Sequence, residues 1–563
     1  MKPRHAVSFF LMFGAFLSLS TGHHAVAQDN LRVTVNATDQ AGAPMLNFTK
    51  PDFALQESGK PRAITTFVGP EAKPAAPPQL QPTEFSNIPD FRETGGAIFV
   101  VFDTIHTRYL DERDARTEVL KFLGKAAQAK HAVTLGILSE KGLYNYHDYR
   151  SGSDVLLAAM SKAGLGGIKG VAAPQGLSEA EVDAEAERLT AFSKGDRSNP
   201  AADTQLLRSS VDMPMIMFQD IAFAAAGLPG RKALVWVTNA VPFDIDPKTM
   251  QFKSPQVTSR GVAVNVGQDA ALVGARPSTA PAAGAGAGIA PPPLSGAVGG
   301  SKDALTDAEK KRIAPIWRHS MRALFDGGVA VYPVEVRGSA SSASNTLTQV
   351  AMKELATLTG GKAFVGSNDP FPEILNTSNG NTAGYELGFV SETNASADFR
   401  RLEVTTLKPG VQINHPAGFF PYEGTPKSLA SEEVGIAMAS PLEYTAIPFK
   451  VAVAGMEEGS GGKKKVNLVI SLPGDSGVLN EAAGTVDVGF VAKAINAAGQ
   501  AVGSLNEGAG GKFQPDQVAH IKELGFQLKR SFEVSPGDCT VRFLVRDNQS
   551  GRMGDVIFPL SVK

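Results

Sequence analysis

Asp103, Thr104, His106 and Thr107 place a carboxylate, two hydroxyls and an imidazole within one short loop. The loop directly follows Ala97-Ile-Phe-Val-Val-Phe102, a run without polar interruption that reads as a parallel strand buried on both faces. Ligands of open α/β sheets sit outside the carboxyl ends of such strands, so residues 103–107 form a candidate site. Ile105, at the centre of the loop, offers no oxygen. A structural reading competes: an Asp at a strand end caps the following turn or helix through its side-chain oxygen. His106 brings nitrogen to the loop, but one imidazole beside one Asp is a poor Mg²⁺ site.

Two further stretches carry polar or aromatic groups to the same side of the expected sheet. Lys232-Ala-Leu-Val-Trp-Val-Thr238 is another apolar strand, and the loop from Asn239 to Asp244 follows it. Tyr109 closes the loop that begins at Asp103. Tyr144-Asn-Tyr146-His-Asp-Tyr149 follows the strand Ala132–Leu138, and tyrosines bury much area at low entropic cost. Tyr144 and Tyr146 are candidate contact residues, with a local packing cluster as the equal alternative.

The elements that must hold these loops alternate between strand and helix. Tyr109 to Ala127 reads as a helix, and Val119, Leu120, Phe122 and Leu123 supply its buried face. Ser178-x-x-Glu181 is a capping box opening another helix, and Met215 to Ala226 is a third. Val329 to Val336 is a further strand, with Pro333 pointing to a sheet edge or strand end. Met352 to Thr359 is a helix stopped by Gly360-Gly361. The alternation implies a doubly wound, mostly parallel sheet covered by helices. Leu31–Asn36, Phe53–Gln56 and Ile64–Val68 read as a small β unit spanning 28–68. A Pro/Ala-rich linker (69–92) leads to the α/β domain (93–424), which carries a disordered insertion near 275–300. Regular strands and turns from 430 to 563 suggest an antiparallel β-sandwich.

With 563 residues, 43% hydrophobic and 20% charged, the chain exceeds what one core can organise. Its formal charge of −2 provides no global field for nucleic acid or an anionic membrane. Lys2 and Arg4, the apolar stretch from Ala6 to Leu19, and Ala25-Val-Ala27 together read as a signal peptide (1–27). No transmembrane segment is expected after its cleavage, and the mature protein is expected to be periplasmic or extracellular. Cys539 is the single cysteine, so no intramolecular disulfide forms; for an exported chain this favours a bacterial source.

Seven stretches in order carry a family likeness. They are Asp39-Gln-Ala-Gly42 with Phe53–Lys60, then Phe102-Asp-Thr-Ile-His-Thr107, and Ala226-Gly-Leu-Pro-Gly-Arg-Lys-Ala-Leu-Val235. Val331–Gly338, Leu358-Thr-Gly-Gly-Lys-Ala-Phe364, Tyr385-Glu-Leu-Gly-Phe389 and Lys408-Pro-Gly-Val411 follow. From about residue 31 to 422 the chain resembles secreted proteins related to the von Willebrand factor A (VWA) domain, of acidobacterial type. The resemblance implies a VWA/Rossmann-like fold and an adhesion module of the cell envelope or exterior. It also implies a Mg²⁺ site built from an Asp-x-Ser-x-Ser loop, a Thr from a second loop and an Asp from a third. Asp103 and Thr107 match the first loop, whereas Ile105 and Asn239 depart from the pattern, and the second-loop Thr falls between Asp203 and Asp212. Mg²⁺ wants six hard oxygens, so no cofactor is firmly implied.

Other motifs yield to plainer readings. Gly474-Asp-Ser-Gly477 copies a serine-protease tetrapeptide but reads as a turn between strands. Gly461-Gly-Lys-Lys-Lys465 lacks phosphate-loop spacing, and the scattered histidines form no zinc motif. Aromatic and basic residues are not interleaved, which argues against nucleic acid. The expected function is a non-enzymatic one: a secreted module binding protein or polysaccharide at the cell surface. Its contact residues would be His106, Tyr109, Tyr144, Tyr146, Asn239 and Asp244, with a degenerate metal site at Asp103 and Thr107. The alternatives are a metal-free envelope scaffold and an enzyme of unrecognised type.

Overall fold

The computed structural model describes residues 29–70, 77–91, 93, 95–107, 109–173, 178–195, 211–253, 307–336, 346–367, 369–381, 384–391, 397–422, 427–481 and 483–563. The expected signal peptide (1–27), the insertion at 275–300 and residues 203–210 lie outside them. The chain opens with β1 (Asp29–Thr38), β2 (Phe53–Glu57), β3 (Lys60–Arg62) and β4 (Ile64–Val68). Ser58 and Gly59, both at positive φ, make the tight turn between β2 and β3. The Pro-rich run that follows contributes a strand of its own, β5 (Glu84–Ser86).

Next come β6 (Ala97–Asp103), α1 (Tyr109–Gln128), β7 (Ala132–Ser139), β8 (Gly142–His147), α2 (Ser153–Ala163) and α3 (Glu179–Lys194). They are followed by α4 (Asp212–Ala225), β9 (Lys232–Thr238), β10 (Asp244–Ile245), β11 (Phe252–Lys253) and α5 (Asp307–Asp326). This region ends with β12 (Val329–Glu335), α6 (Thr346–Thr359) and α7 (Phe371–Asn381). The apolar strands form one sheet in the order β12-β9-β6-β7-β8. All seven residues of β6 and of β9 are buried, because helices cover both faces. Ile98, Val100 and Phe102 face α1, α2 and α3, while Phe99, Val101 and Trp236 face α4 and α5. Pro333 sits in β12, the outermost strand on that side, where a missing N–H is tolerated. The Ser178–Glu181 capping box opens α3.

β13 (Gly384–Ser391), β14 (Arg400–Thr406), β15 (Gln412–Asn414) and β16 (Gly418–Phe419) return to the start of the chain. β1 runs antiparallel to β13, from Asp29 opposite Ser391 to Asn36 opposite Gly384. β2 pairs with β14. Two four-stranded sheets result, β15-β1-β13-β4 and β16-β14-β2-β3, closing on Leu31, Val33, Leu55, Tyr385, Leu387 and Phe419. The pairing crosses the boundary expected between a β unit at 28–68 and an α/β domain at 93–424. Roughly 40 residues cannot bury a core alone, and these strands find theirs against residues 384–419.

The last part comprises α8 (Lys427–Ala439), β17 (Lys450–Glu458), β18 (Lys464–Leu472), β19 (Leu479–Asn480), β20 (Thr485–Asn496) and β21 (Ala501–Lys512). It is completed by α9 (Pro515–Leu524), β22 (Phe526–Val534), β23 (Gly537–Asp547) and β24 (Met553–Val562). One antiparallel sheet takes the order β24-β23-β20-β21-β22-β18-β17-β5, with β19 beside β20. It wraps a single core until its ends meet: Phe85 of β5 stacks on Phe558 of β24 at 4.5 Å. The result is a sandwich-like, nearly closed barrel.

The doubly wound, mostly parallel architecture expected for the chain is corrected by these pairings. Only β12–β9, β9–β6 and β6–β7 run parallel; every other strand pairing among the described residues is antiparallel. Each parallel step needs a crossover of a dozen or more residues. From residue 384 the chain supplies mainly strands joined by short turns, and its first strands pair with those. The antiparallel β-sandwich expected for 430–563 is met in its sandwich-like character, with its strands joined in one curled antiparallel sheet.

Candidate functional site

Asp103 is the last residue of β6 and lies opposite Leu138 of β7, while Phe102 lies between Ile137 and Val237. Asp103 and Thr238 therefore come together at the carboxyl ends of adjacent parallel strands. Asp103 is wholly buried, and its carboxylate is surrounded by donors. Oδ1 accepts the backbone N–H groups of Ile105 (2.9 Å) and His106 (3.1 Å). Oδ2 lies 2.7 Å from His106 Nδ1 and accepts from Trp236 Nε1 at 3.2 Å. Thr238 Oγ1 lies 3.0 Å from Oδ2 and 2.9 Å from Ala240 O, so its single proton serves one or the other. An ionised carboxylate only accepts, which makes Nδ1 the protonated nitrogen of His106.

This geometry decides how the loop could treat a cation. Mg²⁺ needs hard oxygens with lone pairs directed at it. Both oxygens of Asp103 are already directed at protein donors, Ile105 packs its side chain into the core, and Asn239 brings no charge. Among the described residues no group of three or more His, Cys, Asp or Glu side chains could hold a metal ion. The residues present do not fit a Mg²⁺ site. Asp103 instead does the structural work of a cap, tying the loop to two neighbouring strands.

The cage leaves two buried polar atoms over. Among the described residues His106 Nε2 and Thr107 Oγ1 have no hydrogen-bond partner, although the two residues are only 5% and 7% exposed. Asn239, directly after Thr238, is half-buried on the same end of the sheet. Asp244 opens the short β10–β11 hairpin, and its carboxylate accepts the N–H of Ile245 at 2.9 Å. Two residues on, the Lys253 ammonium and the N–H groups of Lys248 and Thr249 hold Asp246 down at about 2. Tyr109 begins α1; its side chain lies outside the described residues.

The tyrosine patch divides. Tyr144 stands opposite Ile137 and is half-buried, one strand removed from Phe102. β8 runs antiparallel to β7, so Tyr146 is carried down the sheet, where it packs edge-on against Phe192 at 5.6 Å. Tyr146 is a packing residue in this arrangement. Beside it, His147 Nδ1 meets Glu185 Oε1 of α3 at 2.6 Å. Burial would raise the Glu185 carboxyl, but His147 and Arg188 outweigh it and hold the group below its ordinary value.

No local spacing in the sequence reveals Trp236 and Thr238 as partners of Asp103. Arg116 carries a faint signal, its i,i+4 spacing from Glu112. It is buried between the rings of Phe102 and Phe192 (4.7 and 4.9 Å) and bonds Glu112 and the carbonyl of Phe192. Ser476 lies in a tight turn, its N–H donating to Pro473 O at 3.0 Å, as expected for Gly474–Gly477. Cys539 is buried, which pushes its thiol up.

No protein-family model matches this chain, and no curated protein matches it. Among solved structures the chain is similar to the N-terminal domain of TFIIH p34, at 8% identity and a TM-score of 0.22, over 51% of this chain and 96% of that one. It is also similar to a point mutant of the PilB minor pilin from Streptococcus sanguinis, at 13% identity and a TM-score of 0.24, over 52% of this chain and 62% of the pilin. A third similarity is to the pilus adhesin SpaC from Lactobacillus rhamnosus GG in its open conformation, at 9% identity and a TM-score of 0.26, over 92% of this chain and 57% of the adhesin. The chain thus spans less than two thirds of the pilin and adhesin chains. At these TM-scores the likenesses carry no argument about fold or activity.

Proposed function

We propose that this chain is an exported, non-catalytic binding protein that recognises a protein or polysaccharide through the loops following β6 and β9. The observation that supports this reading is the pair of buried atoms His106 Nε2 and Thr107 Oγ1, unpartnered among the described residues and held beside the Asp103 cage. Leaving a buried polar atom unsatisfied costs about 1–3 kcal/mol, so such atoms call for an explanation outside stability. With Nδ1 protonated, Nε2 of His106 presents a lone pair. The group it receives is a donor, such as a sugar hydroxyl or an ammonium, rather than a carboxylate bridged by a cation. Export rests on the basic, apolar and small-residue pattern of 1–27, and the adhesion role on the likeness to VWA-related secreted proteins. Among the described residues no helix is long and apolar enough to cross a membrane, which says nothing of β-barrels.

The test is a binding screen of the mature protein on glycan and extracellular-protein arrays, repeated with Thr107→Val and Asn239→Ala. Thr107→Val removes an unpartnered hydroxyl while keeping the side-chain shape, so the free protein should gain about 1 kcal/mol of stability. Binding of the captured ligand should weaken about tenfold or more. Binding that survives both changes would sink the loop reading and favour the envelope-scaffold alternative.

A further inference from the structure

A second surface stands apart from these loops, where two sheets expose consecutive edge strands. β3 is the outer strand of β16-β14-β2-β3, and β4 is the outer strand of β15-β1-β13-β4; the chain passes from one to the other through Ala63. Between them lies an open groove of about 390 Å³. Phe53, Leu55, Pro61 and Ile64 give it an apolar lining, Lys50 adds a cation, and the Arg62 guanidinium is paired with Glu57.

On the free side of β4 no strand pairs with it among the described residues. Thr66 lies opposite Gly388 and Ile64 opposite Phe389, which leaves Thr65 out of register with β13. Its carbonyl is met by Lys50 Nζ, at 3.4 Å. Thr65 and Thr66 are exposed, and Val68 is 39% exposed. An exposed edge beside an apolar groove is the template on which an extended peptide adds as a strand. Main-chain bonds then supply affinity and the groove selects alternate side chains.

Charge chooses the peptide. The nearby carboxylates are committed elsewhere: Glu57 is buried against Arg62, Arg400 and Ser391, and Asp52 is bound to Thr49 and Lys408. Lys50 is exposed and reaches the Thr65 carbonyl, with no carboxylate paired to it among the described residues, so its ammonium is the charge that the groove presents. We propose that the edge of β4, with the groove beside it, docks an extended peptide whose alternating apolar side chains are flanked by acidic residues.

The test uses the whole mature protein and two fluorescein-labelled peptides followed by anisotropy: Glu-Val-Thr-Val-Glu and its counterpart Lys-Val-Thr-Val-Lys. The acidic peptide should saturate below about 1 mM, with the basic one about tenfold weaker or worse. Lys50→Glu should reverse that preference. Thr65→Pro, which spoils the edge for strand addition, should abolish binding of both. Should Thr65→Pro misfold by circular dichroism, the Lys50→Glu reversal still decides the matter. Absence of saturable binding at about 1 mM, or equal binding of both peptides unaffected by Lys50→Glu, overturns the proposal.

Discussion

Asp103 Oδ2 and His106 Nδ1 meet at 2.7 Å with both side chains wholly withdrawn from solvent. The pair reverses the role first expected for the loop. A strand-end carboxylate that could have faced a cation instead fixes the tautomer and orientation of a neighbouring imidazole, much as outer carboxylates orient histidines elsewhere. The far nitrogen of that ring, Nε2, stays buried and has no hydrogen-bond partner among the described residues.

Replacing Asp103 with Ala should be severe. The change strips acceptors from Trp236 Nε1, the His106 ring and two backbone N–H groups, all in the interior. A loss of about 3–5 kcal/mol is expected, and Asp103→Asn should cost less because one oxygen remains. Urea titration followed through tryptophan emission measures both, since Trp236 itself donates to the carboxylate.

Mg²⁺ and Mn²⁺ should give no saturable heat on calorimetric titration of the mature protein, and neither should raise its melting temperature. Ligands that bind only the folded state stabilise it by mass action, so thermal scans are an independent check. Saturable binding that Asp103→Ala removes would show that the cage opens for a cation.

Lys232 makes stability depend on pH on the alkaline side. Burial lowers its ammonium from 10.5 to about 8, with Glu386 pulling weakly the other way. Between those values the unfolded chain binds more protons than the folded one, so stability rises with pH across the window. Below it, the folded protein carries a buried charge at a cost of about 2–4 kcal/mol. Lys232→Met should therefore stabilise the protein at pH 7, and its advantage should shrink as pH climbs from 8 to 10.5. An advantage that stays constant across those values would refute this account.

Gly361→Ala should destabilise strongly although the residue looks like an ordinary helix stop. A Cβ there would come within 1.9 Å of the Val331 carbonyl oxygen of β12, a backbone atom that cannot swing aside. The expected loss is about 3 kcal/mol or more, read from the shift in urea midpoint. Gly59→Ala, where nothing lies within 4 Å but φ is +80°, should cost only about 1–2 kcal/mol.

The individual strands of the central sheet were legible because each is a short apolar run bounded by polar residues, Ala97–Phe102 and Lys232–Thr238 above all. Caps were legible for a related reason: Ser178 and Glu181 act within one helical turn. The overall architecture was not. Alternation in Leu31–Asn36 says that one face is buried, but not that the partner is Gly384–Ser391. The nature of the site escaped for the same reason. The family resemblance at 103–107 implied a cation loop, whereas the groups that saturate Asp103 include Trp236 and Thr238, brought over only by the β6–β9 pairing.

The partnership of β1 with β13 also has a cost in time. The first strand leaves the ribosome roughly 350 residues before the strand it must pair with. At about 5–20 residues per second, it waits about 20–70 s with Leu31, Val33 and Val35 uncovered. Pairings so distant in sequence form slowly even in a complete chain. The early segment is therefore a natural holding point for a chaperone, and refolding should show its N-terminal amides among the last to gain protection from hydrogen exchange.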